Sequence, residues 1–475
     1  MNQAILDMDA STLAEQIRSG AVSSLEATNA YIDHLQHANG TLNCLVEERF
    51  NAARDEARQA DDLRAQGRAA GRLFGVPISI KEAFDVAGMK TTGGLLHRRD
   101  HRATQDAVTV ARLKREGAII LGKTNTPTLC FCQETDNKLY GRSNNPWDPA
   151  CTTGGSSGGE AALIAVGGAA VGLGSDIGGS IRFPAHFNGV VGFRSGDRQV
   201  SQQGHFPFVE EPYQERMLGI GALAKSVADA ELLNAIIADA PPGTVDVQAF
   251  RIAVPPAHPR FPVDAPASRL LTGVRSFFAE KGPVDEDVPP YFDKVALWWQ
   301  LIMSVDGGAG IARLAFDGKP PRPVAEYLKE AVRHNSAYHR YLTWALIGTT
   351  MFRPSRTKWW RLVDELQLAD AAVAQYLANR VLVLPVYHSP ALPHGGVYAE
   401  IFSIRRTFLR VMPYVAMANL FGLPALTVPV GTDARGMPIA VQLVASVGNE
   451  QALFHVGRML EKRFGGYVRC KAHDR

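Results

Sequence analysis

Between residues 9 and 38 apolar positions recur at helical spacing, with hydroxyl residues where helices begin. Ser11 precedes LAEQIRSG and the Ser23-Ser24 pair precedes LEATNAYIDHL, which predicts two short helices with these side chains as N-caps. Residues 47–66, rich in Ala, Glu and Arg, read as a solvent-facing helix. LFGVPISIK (73–81) is a short apolar run that stops at Lys81, the pattern of a buried strand. AVTVARLKREG then AIILGKTN reads as a helix and a strand; GVVGFRS, a polar turn and a helix across 226–238 follow later. APPGTVDVQAF (240–250) reads as a surface loop, and RIAVP (251–255) restarts a strand. RVLVLPVYHSP, LPALTVPVG and PIAVQLVAS are three further strand candidates before a terminal helix at 449–464. Residues 290–365 are the least regular, with aromatic clusters LWWQLIM and TKWWRLV. Strands alternating with helices through the whole length predict one α/β domain.

Composition narrows the class without naming a chemistry. The 475 residues are 46% hydrophobic and 20% charged, with a net charge of +3. That charge is too slight, and too evenly spread, for a nucleic-acid footprint. No apolar stretch approaches the about 20 residues that cross a bilayer, and the opening MNQAILDMDASTLAEQIRSG lacks the pattern of a signal peptide. Five cysteines without framework spacing indicate reduced thiols and a cytoplasmic setting. Cys130-Phe131-Cys132 has the wrong spacing for a zinc knuckle, so neither a metal nor a cofactor is expected.

One stretch breaks the pattern around it: CTTGGSSGGEAALIAVGGAAVGLGSDIGGSIRFP, residues 151–184. Glycine costs conformational entropy, so this density, together with Ser156, Ser157, Ser175 and Ser180, needs a chemical reason. A phosphate-cradling GxGxxG fails because Ile177 stands at its third glycine. A nucleophile elbow, GxSxG, is met twice. However, NNPWDPACTT before it carries no strand signal, and His388, His394 and His455 stand in no recognisable context. The third reading uses the whole block. Ser156 and Ser180 lie 24 residues apart with helix-like AALIAVGGAA between them. Gly178-Gly179-Ser180 offers consecutive unobstructed N–H groups, as an oxyanion requires. A serine there attacks only if a neighbouring base takes its proton.

These residues resemble the amidase signature family across essentially the whole chain. The likeness is carried by NNPWDPACTTGGSSGGEAALIAVGGAAVGLGSDIGGSIRFP, by GVPISIKEAFDVAGMKTTGG upstream and by NLFGLPALTVPVGTDARGMPIAVQLVA downstream. Locally it is greatest to the fatty acid amide hydrolase branch. The resemblance implies one large domain, 1–475, with a central mixed β-sheet covered by helices on both faces. Its expected parts are an N-terminal helical region (1–70), a catalytic core (71–240), a variable substrate-pocket region (241–380) and the C-terminal part of the core (381–475). It also implies a serine–serine–lysine triad of Ser180, Ser156 and Lys81, with a cis peptide entering Ser156.

A free lysine, with a pKa of about 10.4, is protonated at neutral pH and useless as a base. Desolvation at the tip of ISIK would favour the neutral amine of Lys81, whereas pairing with Glu82 or Asp85 would not. The implied relay moves a proton from Ser180 to Ser156 to Lys81, while N–H groups from Ile177 to Ser180 hold the oxyanion. Ser156 then protonates the departing amine, and water frees the acid from acylated Ser180. Ser157 reads as a turn hydroxyl and Ser175 as structural; Asp176 and Arg182 read as an ion pair that stiffens the loop. Thr152 and Thr153 are candidates for supporting hydrogen bonds.

In related hydrolases the segment before the NPW motif walls the acyl pocket. Here it is LCFCQETDN, which places Cys130, Phe131 and Cys132 at the substrate. Ile177 adds an apolar face beside Gly178, Gly179 and Ser180. The rest of the pocket is expected from residues 290–365, including Trp298, Trp299, Phe352, Trp359 and Trp360. An apolar acyl or aryl amide, a small molecule, is therefore favoured over glutamine, with esters or carbamates as further candidates. A homodimer is compatible with this reading. GFRSGDRQVS and Glu82 depart from many members, and the membrane-entering N-terminal segment of some members is missing. The alternatives are the glutaminase component of a tRNA-dependent amidotransferase and a non-catalytic amidase-like scaffold.

Overall fold

Three short runs of the first half lie side by side in the computed structural model, which describes residues 3–241, 243–256 and 258–474. In chain order the first strands are β1 (Leu45–Glu48), β2 (Pro77–Lys81), β3 (Ile119–Thr124), β4 (Val171–Asp176), β5 (Val191–Arg194) and β6 (Gly219–Ala224). There follow β7 (Arg251–Ala253), β8 (Val284–Asp285), β9 (Arg380–Pro385), β10 (Ala425–Thr432) and β11 (Pro438–Val444). They make one sheet, ordered β1-β3-β2-β4-β6-β5-β10-β11-β9-β7-β8. β2 runs parallel to both β3 and β4, whereas β6 is antiparallel to β4 and to β5, and β10 to β5 and to β11. The sheet is therefore mixed, and it is flanked by helices, the architecture anticipated above. β2, β3, β4 and β6 are buried at every residue, which is why β2 and β3 read as unbroken rather than alternating runs. Because β2, β3 and β4 point the same way, Lys81, Thr124 and Asp176 end on one edge. This is the carboxyl edge, where α/β sheets build their ligand sites.

Several local expectations change in the folded chain. The helix Ala10–Ser19 is capped by Asp9, whose carboxylate accepts the Thr12 N–H at 2.9 Å. Ser11 lies inside that helix and donates its hydroxyl to Asp229 at 2.7 Å instead. Ser23 does cap Ser24–Leu42, accepting the Glu26 N–H at 3.0 Å. Residues 47–66 begin as the end of β1. The helix that follows, Phe50–Ala65, buries a stripe of Phe50, Ala53, Ala57 and Ala60 rather than facing solvent all round.

β4 and β6 carry no strand signal because glycine stands where β-branched residues would. A Cβ at Gly172 would collide with Glu160, and one at Gly221 with the Phe193 carbonyl, so close backbone approach decides both positions. The irregular region 290–365 folds as helices Val295–Met303, Ala309–Ala315, Pro323–Arg333, Arg340–Phe352 and the start of Arg356–Leu377. Trp298 and Trp299 are buried in one apolar cluster, with Phe352 and Trp359 packed against it, whereas Pro323–Arg333 buries no residue. The loop at 240–250 contains one 3-10 turn, Val247–Ala249; Pro242 lies outside the described residues.

Candidate active site

Lys81 closes β2 with its side chain fully buried. Burial drives its pKa below the ordinary lysine value of 10.5, because an ammonium removed from water loses its hydration. Its Nζ lies 2.7 Å from Ser156 Oγ, 3.0 Å from Ser175 Oγ and 3.5 Å from the Ser175 carbonyl. Glu82 does not pair with it. It lies in the turn after β2, where its carboxylate accepts the Thr92 N–H at 2.6 Å, the Thr92 hydroxyl at 2.8 Å and the Gly93 N–H at 3.0 Å.

Ser156 sits on a bend whose Gly155–Ser156 peptide is cis. A Cβ on Gly155 would press on the Glu134 nitrogen at 2.7 Å and the Cys132 carbonyl at 2.8 Å, so only glycine fits there. The Thr126 hydroxyl holds the bend by donating to the Ser156 carbonyl at 2.9 Å. Thr152 and Thr135 hydroxyls bond the backbone of Gly154, at 3.0 and 2.8 Å, and Thr153 donates to the Gly154 carbonyl at 3.1 Å. Ser157 stitches this bend to the next. Its N–H donates to the Ser180 carbonyl at 3.0 Å and its hydroxyl to the Ser175 carbonyl at 3.3 Å. Ser156 and Ser180 line one cavity, and the Ser156 hydroxyl meets the Lys81 amine.

The bend carrying Ser180 is built around Asp176 and Arg182, both fully buried. Arg182 donates through Nε to Asp176 Oδ2 at 3.0 Å and through Nη2 to Oδ1 at 3.1 Å, and Asn419 donates to Oδ1 at 2.8 Å. Burial alone would raise the Asp176 pKa. The Arg182 charge and these hydrogen bonds outweigh it and hold the carboxyl well below the usual carboxylate range. Asp176 also accepts the Gly179 N–H at 2.9 Å and the Ile181 N–H at 3.1 Å. The four-donor run from Ile177 to Ser180 is thereby corrected: Gly179 spends its N–H inside the loop, which leaves Ile177, Gly178 and Ser180 as the candidate donors. Gly179 has φ +92°, and a Cβ there would strike the Phe183 ring at 2.7 Å, so its part is in shaping the turn. Trp299 anchors the same loop, donating from Nε1 to the Ile177 carbonyl at 2.9 Å.

Two cavities meet at Ser180. One, of about 250 Å³, is lined by Cys130, Phe131, Cys132, Gln133 and Ile177, with Trp299, Met303, Trp344, Phe352, Phe402 and Phe408 around them. The other, of about 410 Å³, holds Ser156, Ser175 and His205, with Phe206, Glu210, Glu211, Asp306 and Arg313 among its walls. Of the aromatics expected from sequence, Trp299 and Phe352 line the first cavity. Trp298 packs on Tyr291 at 5.5 Å between ring centroids, Trp359 packs on Tyr213 at 5.3 Å, and Trp360 is exposed. Trp344 falls within the expected stretch 290–365, whereas Phe402 and Phe408 lie outside it. Burial pushes the Cys132 thiol well above its ordinary pKa, which keeps it an unreactive wall residue. Cys130 bonds Thr126 at 3.3 Å and neighbours Lys81.

His388 pairs with Glu400 at 2.8 Å and His394 with the Pro149 carbonyl at 3.0 Å; neither lines either cavity. The histidine that does is His205, whose only sequence signal was the Gly204-His205-Phe206-Pro207 turn after a polar stretch.

Residues 26–454 match the Amidase family. The chain is similar to Fatty-acid amide hydrolase 2-B of Danio rerio, 32% identical over 98% of this chain and 91% of that protein. It is also similar to Indoleacetamide hydrolase of Bradyrhizobium diazoefficiens, 29% identical over 95% of this chain and 86% of that one. Its fold superposes on a structure of 6-aminohexanoate cyclic dimer hydrolase with substrate, with a TM-score of 0.82 and 25% identity over 99% of this chain and 100% of that one. No helix among the described residues is long and apolar enough to cross a membrane. A family match over most of its length, on this fold and around this site, shows that the chain belongs to the amidase family and is a hydrolase of amide C–N bonds.

Proposed function

We propose that the enzyme hydrolyses a small-molecule amide of an apolar or aromatic acid through an acyl-enzyme on Ser180. The observation that carries this is a buried amine, Lys81, 2.7 Å from a serine that shares a cavity with a second serine, beside a chamber with six aromatic side chains in its wall. As a neutral amine, Lys81 takes the Ser156 proton, and Ser156 takes that of Ser180 as Ser180 attacks the carbonyl carbon. The N–H groups of Ile177, Gly178 and Ser180 receive the negative charge that develops on the carbonyl oxygen. Ser156 then delivers a proton to the leaving nitrogen, with Lys81 resupplying it. Water repeats the sequence on the ester and releases the acid. The aromatic side chains of this cavity support an acyl group of apolar or aryl character; Gln133, Gln300, Thr349, Ser403 and Arg406 are polar groups in the same wall.

The test is turnover of aryl anilides, long-chain acyl amides, carbamates and glutamine by wild type and Ser180→Ala, with a fluorophosphonate adduct mapped by mass spectrometry. Turnover of aryl or acyl amides, abolished in Ser180→Ala, and an adduct on Ser180 are expected. Glutamine as the best substrate would favour the glutaminase reading. No adduct and no turnover would favour a scaffold.

A further inference from the structure

His205 is almost wholly buried behind Lys81, and no step above uses it. Its ring makes two hydrogen bonds: Nδ1 lies 2.9 Å from the Pro207 carbonyl and Nε2 lies 2.9 Å from Ser175 Oγ. A carbonyl can only accept, so Nδ1 carries the proton. Burial pushes the His205 pKa below its ordinary value of 6.5, so near neutral pH the ring is uncharged and Nε2 is a bare acceptor. The Ser175 hydroxyl therefore donates to His205. It has one proton, so toward Lys81, 3.0 Å away, Ser175 Oγ can only accept. The second acceptor facing the amine is the Ser175 carbonyl at 3.5 Å. Cys130 also faces the amine; Thr126 spends its one proton on the Ser156 carbonyl, so the Cys130 thiol donates to Thr126 and its sulfur can only accept. A neutral amine has two N–H bonds, and these acceptors take both. The lone pair is left for Ser156 Oγ, at 2.7 Å.

We propose that His205 is a positioning residue: through the Ser175 hydroxyl it directs the Lys81 lone pair at Ser156. This rests on Lys81 being the base. Without an acceptor at 205, the Ser175 hydroxyl turns its proton onto the amine's lone pair and competes with Ser156 for it. The backbone fixes the geometry. The Asp85 N–H donates to the Gly204 carbonyl at 2.8 Å and the Phe206 N–H to the Ala83 carbonyl at 2.7 Å, so the His205 loop is laced to the segment that follows Lys81. The Phe84 ring packs edge-on against the imidazole, centroids 5.0 Å apart.

Two polar replacements separate positioning from folding. His205→Asn keeps a donor for the Pro207 carbonyl but leaves the place of Nε2 empty, whereas the longer His205→Gln puts an amide oxygen there. With an aryl amide, His205→Asn is expected to lower kcat by roughly 10- to 100-fold with KM little changed, and His205→Gln to restore most of it. The double variant His205→Asn/Ser175→Ala, which removes the misdirected hydroxyl, is expected to be no slower than His205→Asn alone. Wild-type kcat in His205→Asn, Gln as slow as Asn, or a double variant slowed by the product of the two single effects would each overturn the inference. Lys81→Met at full rate would overturn the base assignment itself. An inactive Lys81→Met beside a fully active His205→Asn would overturn only the role of His205.

Discussion

Ser156 has an amine 2.7 Å away, and that amine has been stripped of water by the strand that carries it. Removing it in Lys81→Met is expected to lower kcat on the order of 10²–10⁴-fold while the far-ultraviolet circular dichroism stays that of wild type. The pH dependence has a definite sign. A base works unprotonated, so kcat/KM rises with pH through the Lys81 pKa, and burial has moved that pKa below 10.5. The acid limb of the wild-type profile should therefore lie below the titration of a free lysine and vanish in Lys81→Met.

A second residue-scale prediction concerns Asp176. Asp176→Asn leaves Arg182 buried without its counter-charge, which costs about 3–5 kcal/mol and is read from urea unfolding at neutral pH. Lys81, Ser156 and Ser180 were legible in the sequence through the spacing of whole motifs; periodicity alone left Lys81 undecided between a base and an ion-paired lysine. Gly179 and His205 were not legible. Whether an N–H is free, or which group a histidine meets, depends on loops that fold back from distant parts of the chain.

Among the elements, the helix Gly158–Ala165 ties the strand tips together from behind. Its Glu160 accepts hydroxyl hydrogen bonds from Ser79 on β2 and, at 2.7 Å, from Thr124 on β3. Burial raises the Glu160 pKa from 4.5 to about 7. A raised carboxyl pKa means the folded chain binds the proton more tightly than the unfolded one. This group's contribution to stability is thus present below about 4.5 and lost as pH rises through about 7. Glu160→Gln cannot ionise, so its urea midpoint should gain on wild type across that window, as measured at a series of pH values.

Elements with one clean apolar stripe or one continuous apolar run, such as Val227–Ile237, Glu450–Phe464 and β9 to β11, were legible. β4 and β6 were not, because their glycines answer to Glu160 and to the Phe193 backbone rather than to strand propensity. Val295–Met303 and Arg340–Phe352 were obscured for a different reason: each packs into an apolar cluster and also lines a cavity, so apolar residues stand on more than one face.

At the scale of the molecule, the α/β class and mixed sheet followed from alternating elements and motif resemblance, but the shape of the cavities did not. The aromatic one forms where the segment 130–133, the loop 177–180 and side chains between 299 and 408 converge, and the other where residues 205–218 face 303–314. If the aromatic chamber takes the acyl group, each methylene it buries adds about 0.8 kcal/mol, roughly four-fold in kcat/KM, until the space is full. A homologous series of acyl amides measures this. Phe402→Ala is expected to flatten the rise while leaving the smallest member of the series nearly unaffected.

The lysine ends one strand of a buried sheet, Ser180 follows another and Ser156 precedes the helix Gly158–Ala165, whereas most of the aromatic chamber belongs to helices outside the sheet. An inheritance split in this way lets descendants exchange one stretch of chain for another diet while the hydrolytic machinery passes down untouched.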